Sequence, residues 1–146
     1  MLTLDLARRL AAAGVLWEPQ PGDRFAIDVD TLTDQTYWIS DLTIELHHYA
    51  DQSVLGFNGT TEWALDSVGL DQTVWLPRED QLRELLGDRL RSVHHKSVHP
   101  ESVHPESAHH ETAAVWRVVT NDGQRERHTT NVDLECAYAE ALLDLC

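Results

Sequence analysis

AVWRVVTNDGQRERHTTNVDLECAYAEALLDL, Ala114 to Leu145, decides the fold class, because it joins two strands and a helix with their punctuation intact. Ala114 to Thr120 is rich in Val and Trp, and such residues favour a pleated, half-buried surface. Asn121-Asp122-Gly123 supplies the positive-φ residues of a hairpin turn. Gln124 to Thr130 returns as a polar edge strand. Asn131 or Asp133 then caps a helix whose inward stripe is Leu134, Tyr138, Ala141, Leu142 and Leu145.

Upstream elements follow the same logic. Leu6, Leu10 and Ala13 recur at helical spacing, and Gly14 stands where a left-handed terminal residue is wanted. Trp17-Glu18-Pro19-Gln20-Pro21-Gly22-Asp23 breaks regular structure. Phe25, Ile27 and Val29 alternate with Ala26 and Asp28, the pattern of a half-buried strand. Tyr37-Trp38-Ile39, Thr43 to Tyr49 and Val54 to Phe57 read as further strands. On Thr43 to Tyr49, Ile44, Leu46 and His48 share one face while Glu45 and His47 share the other. Glu62 to Val68 reads as weakly helical or as a structured loop. Trp75-Leu76-Pro77-Arg78-Glu79-Asp80 opens a helix with Pro77 at its first position and acidic residues at its positive end. Leu82, Leu85, Leu86 and Leu90 form its apolar stripe. The expectation is one α+β domain over residues 1–146: a mostly antiparallel sheet with helices packed on it, as two layers or an α/β/α sandwich.

Composition narrows the partners. The 146 residues include 25 Asp and Glu against 11 Lys and Arg, a formal net charge of −14. That field repels a phosphate backbone and an anionic membrane surface, so neither nucleic acid nor membrane is an expected partner. No run approaches the roughly 18 apolar residues of a membrane span, so no membrane insertion is expected. Met1 to Gly14 carries Asp5, Arg8 and Arg9 where a secretory signal needs an apolar core. Cys136 and Cys146 make no disulfide framework or metal spacing. A cytoplasmic protein is the expectation.

The tract Ser92 to Glu111 is four copies of a five-residue unit carrying six of the nine histidines: His94, His95, His99, His104, His109 and His110. These are the weak metal-ligand candidates. A five-residue step turns successive histidines by about 140° in a helix, and Pro100 and Pro105 bar a continuous helix. The tract therefore reads as an expanded, disordered loop over 92–111, cheap in closure entropy. Elsewhere, His47-His48 lacks a histidine four residues on, and no H-E-x-x-H occurs. Ser67 lacks the first glycine of a nucleophile elbow. Gly56 and Glu62 have one Nudix-like spacing, but Arg78 follows too late and Gln81 and Leu82 replace the required carboxylates. No cofactor is implied.

Trp17, Trp38, Trp63, Trp75 and Trp116 are many for this length. Most read as core and seam residues. A recognition surface is placed at Asn58-Gly59-Thr60-Thr61-Glu62-Trp63, which is richer in polar donors than a connector requires.

LAAAGVLWEPQPGDRF (Leu10–Phe25) and FNGTTEWALDSVGLDQTVWLPREDQLRELLG (Phe57–Gly87), with AYAEALLDL (Ala137–Leu145) more weakly, resemble blocks of small actinobacterial proteins often labelled pilus assembly protein CpaE. The Trp-Leu-Pro pattern and the last helix also resemble small phage-type α/β/α sandwich domains. The resemblance implies a fold. It carries over no functional residues, since no G-x-x-x-x-G-K-[ST] phosphate loop occurs. Two functions are expected from these features. One is a non-enzymatic binding or assembly domain for a protein partner. The other is a small metal-dependent hydrolase whose Asp, Glu and His are assembled by the fold.

Overall fold

The computed structural model describes residues 1–29, 35–40, 44–57, 67–98 and 113–146. The chain divides into two compact units, Leu2–Arg78 and Glu79–Cys146, the latter with Met1.

The first unit opens with α1 (Leu4–Ala12), whose Thr3 side chain accepts a hydrogen bond from the Leu6 N–H. Gly14 ends it at φ 91°. There Gly14 N bonds Ala11 O and Val15 N bonds Leu10 O, a Schellman closure. Leu6, Ala7 and Leu10 are buried. Next comes β1 (Arg24–Ile27), the centre of an antiparallel sheet between β2 (Thr36–Trp38) and β6 (Thr73–Trp75). Phe25 stands opposite both Tyr37 and Trp75. All four residues of β1 are buried, Ala26 included. The half-buried alternation expected there is thus corrected: a central strand covered on both faces tolerates a continuous buried run.

A second antiparallel sheet has the order β3 (Ile44–His48), β4 (Ser53–Phe57), β5 (Ser67–Gly69). The helical or loop reading of Glu62 to Val68 is corrected for Ser67 and Val68, which pair with β4; residues 62–66 lie outside the described residues. The two sheets share one core. Phe25, Ile27 and Tyr37 meet Ile39, Ile44, Leu55 and Val68 in it. The Tyr37 ring lies 5.5 Å from Phe25 and 5.9 Å, edge-on, from Phe57, and its burial raises the phenol pKa.

In the second unit α2 (Glu79–Leu86) buries Leu82 and Leu86. Pro77 is not its first residue. The Leu76 N–H bonds Arg24 O, and the Arg24 guanidinium takes Leu76 O and Pro77 O at 3.3 and 3.0 Å. Those bonds hold Leu76 and Pro77 beside β1, outside the helix. Leu90 also leaves the predicted stripe. Gly87 turns the chain at φ 52°, and Arg89 closes the helix end on Leu85 O and Leu86 O. Leu90 then begins β7.

The third sheet runs β7 (Leu90–Val98), β8 (Ala113–Asn121), β9 (Glu126–Asn131), again antiparallel. Strand β7 corrects the spacer reading of the tract: its first copy, Ser92 to Lys96, is paired with β8, Val93 opposite Val118. The hairpin turn is as expected, with Asp122 Oδ1 accepting from Gln124 N and Arg125 N. Asp133 caps α3 (Leu134–Leu143) by accepting from Cys136 N at 3.0 Å, while Asn131 Oδ1 accepts from Asp133 N. Helix α3 packs on β8, β9 and α2, burying Cys136, Ala137, Tyr138, Ala139, Ala141 and Leu142. Burial and the neighbouring Glu79 carboxylate raise the Tyr138 pKa. The class is α+β, with its strands shared among three three-stranded sheets rather than one.

Candidate functional site

The proline-rich stretch after α1 is held by one buried carboxylate. Asp23, 3% exposed, accepts from Trp17 Nε1 at 2.9 Å and from Gln20 N at 3.0 Å. Arg78 Nη1 lies 3.6 Å from its other oxygen and donates to Gly22 O at 2.6 Å. A buried carboxylate is tolerable only when paired and hydrogen-bonded in this way. The consequence is orientational. The Trp17 indole is pinned through its only donor, and its ring stacks on Trp75 at 6.4 Å with an interplanar angle of 2°. Phe25 supports it from 6.1 Å.

Between α1 and β6 this pair walls an apolar recess of about 220 Å³, lined also by Leu10, Ala11, Leu16 and Leu70. Leu16 stands at its lip, 85% exposed. Trp75 Nε1 is buried with no acceptor among the described residues, and an unpaired buried donor costs about 1–3 kcal/mol. A tryptophan kept only for packing would ordinarily find a partner for that N–H. The volume falls below the roughly 300–1,000 Å³ of small-molecule sites. It suits one large apolar side chain.

A second recess of about 330 Å³ is lined by Pro19, Pro21, Ile39, Ile44, Leu46 and the pair Glu45 and His47. His47 Nε2 is 3.9 Å from Glu45 Oε2, so the two share a strand face as the alternation requires, with His48 exposed on the other side. Among the described residues His48 meets Ser53 Oγ. Among the described residues no three His, Cys, Asp or Glu side chains converge on a common point.

The remaining sequence candidates divide. Asn58, Gly59, Thr60, Thr61, Glu62 and Trp63 lie outside the described residues, as do His99, His104, His109 and His110. His94 and His95 occupy opposite faces of β7. His94 Nε2 meets Ser92 Oγ at 2.9 Å, whereas the His95 ring packs 4.5 Å from Trp116. These two cannot grip one ion together. Trp38 is half-exposed under the Arg24 guanidinium at 5.7 Å. Cys136 is buried, Cys146 exposed. Sequence reasoning missed the Trp17–Trp75 wall, whose one sequence signal was a Trp two residues before a Pro in both segments. Among the described residues no helix is long and apolar enough to cross a membrane.

Comparison with protein-family models, with curated proteins and with solved structures found no match.

Proposed function

We propose that this chain is a non-enzymatic binding domain that holds a protein partner by receiving one apolar side chain in the recess walled by Trp17 and Trp75. The observation that carries this reading is a wall of two stacked indoles, one of them pinned through its N–H by Asp23, beside a small apolar recess. Rigid aromatic walls around a small apolar recess are what interface anchors engage. The acidic balance favours a protein over a nucleic acid as partner, in a cytoplasmic setting, without a cofactor. The resemblance of Leu10–Phe25 and Phe57–Gly87 to proteins labelled for pilus assembly makes an assembly process the context to try first.

The test is capture of cross-linked partners from the source cells with wild type, Ala11→Trp and Trp63→Ala. Ala11 is exposed and lines the recess, so an indole there fills it without disturbing the core. Partners retained by Ala11→Trp would refute the recess. Partners lost only with Trp63→Ala would move the surface to Asn58–Trp63.

A second reading, metal-assisted hydrolysis, centres on Glu45 and His47 beside their recess. Saturable Zn²⁺ binding abolished by His47→Ala would favour it.

A further inference from the structure

The third sheet carries α3 on one face only, and the other face has its own chemistry. Strand register fixes which residues share it. Arg117, on the central strand, has His94 directly across on β7 and Thr130 directly across on β9. The next row is Ser92, Val119 and His128, and Lys96 stands opposite Val115 on the other side. Direct neighbours lie about 5 Å apart and diagonal ones about 7–8 Å, so Arg117 is ringed by His94, Lys96, His128 and Thr130. All four of these are exposed. Among the described residues of these strands the one carboxylate on this face, Glu126 at its far corner, is engaged by His128 Nε2 at 2.9 Å.

Arg117 is the anomaly. Five arginines are at least partly buried: Arg24, Arg78, Arg89, Arg117 and Arg127. Four of them place N–H groups on carbonyl or carboxylate oxygens. Arg117 has no acceptor among the described residues, and its Nε is fully buried. A guanidinium left unpaired in the middle of a sheet costs free energy unless an anion joins it. In a chain of net charge −14, a face whose charged neighbours are cationic or can become so is a local exception to the overall field.

We propose that this face binds a phosphate group, with Arg117 as its central ligand and His94, Lys96, His128 and Thr130 around it. Phosphate fits better than a lone carboxylate. Its charge and its several acceptor oxygens match two permanent cations, two imidazoles and a hydroxyl. A nucleic acid would extend past the patch into the acidic surroundings.

The experiment is an amide and arginine Nε–H NMR titration of the full chain at fixed ionic strength, which keeps screening constant. The probes are inorganic phosphate, sulfate, and a phosphoserine peptide with its unphosphorylated twin. Saturable shifts confined to residues 92–96, 115–119 and 128–130 are expected. Arg117→Gln should weaken them about tenfold or more, the loss for one charge-assisted pair. Arg83→Gln, an exposed side chain on α2 paired to Glu79 at 3.5 Å, should change nothing. Tighter binding of the phosphopeptide would assign the phosphate to a protein, and equal binding to free phosphate. Non-saturating shifts, or shifts that survive Arg117→Gln, would overturn the site. If Arg117→Gln does not fold, Lys96→Gln decides: unchanged affinity there overturns it equally.

Discussion

Trp17 donates its indole N–H to the buried carboxylate of Asp23 at 2.9 Å, and that bond fixes one wall of the recess. Trp17→Phe keeps an aromatic ring but leaves Asp23 with Gln20 N and the more distant Arg78. A loss of about 1–3 kcal/mol in urea unfolding is expected. Asp23→Ala removes the acceptor of both Trp17 Nε1 and Gln20 N and should cost more than Trp17→Phe. Equal or reversed costs would mean that Asp23 does not organise the loop.

Gly56 and His47 are coupled by contact. A Cβ on Gly56 would stand 2.8 Å from both Cδ2 and Nε2 of the His47 ring. Gly56→Ala should therefore destabilise by about 1 kcal/mol, the low end for overpacking because the ring is half-exposed and can swing away. In a His47→Ala background the same change should stabilise by about 0.5 kcal/mol, since glycine is unfavourable inside a strand. A double-mutant cycle in denaturant measures the change of sign. An effect of the same size and sign in both backgrounds rejects the contact.

The β8–β9 turn carries a pH signature. Arg125 N, Gln124 N and the Arg127 guanidinium hold the Asp122 carboxyl at about 2, below its ordinary 3.8. A carboxyl depressed by folding contributes stability that is present above its unfolded pKa and is lost as pH falls through the folded one. The turn should stay intact at pH 4 and loosen toward pH 2. NMR titration of the Gln124 and Arg125 amides reads this directly, and a midpoint near 3.8 would contradict the bonding.

Adjacent histidines of the repeat should behave differently. His95 packs on Trp116, and His95→Ala should cost about 0.5–1.5 kcal/mol. His94 is exposed and meets Ser92, so His94→Ala should leave the unfolding midpoint unchanged. Equal effects would show that β7 is not registered on β8 as described.

The extent to which the sequence foretells all this depends on how local each determinant is. The capped α3, the Asp122-Gly123 turn and the Gly14 helix end are written in neighbouring residues, and each is where the sequence puts it. Strands β5 and β6 are short and lack alternation, so their pairing rests on partners far along the chain. Strand β7 hides inside a repeat whose second and third copies contain proline. The first copy has His-Lys in place of Pro-Glu and can pair. The Trp17–Trp75 wall needs Asp23 and Arg78 to meet, a coincidence that spacing does not reveal. The surface expected at Asn58–Trp63 lies outside the described residues.

Site-specific photo-cross-linking tests the central claim most directly. A photoreactive residue at Leu16, on the lip of the recess, is compared in the source cells with one at Val132, which is 71% exposed elsewhere. A discrete adduct from Leu16 alone, lost when Ala11→Trp fills the recess, is the predicted result. No adduct, or one that persists with Ala11→Trp in a folded chain, would contradict a partner seated in the recess walled by Trp17 and Trp75.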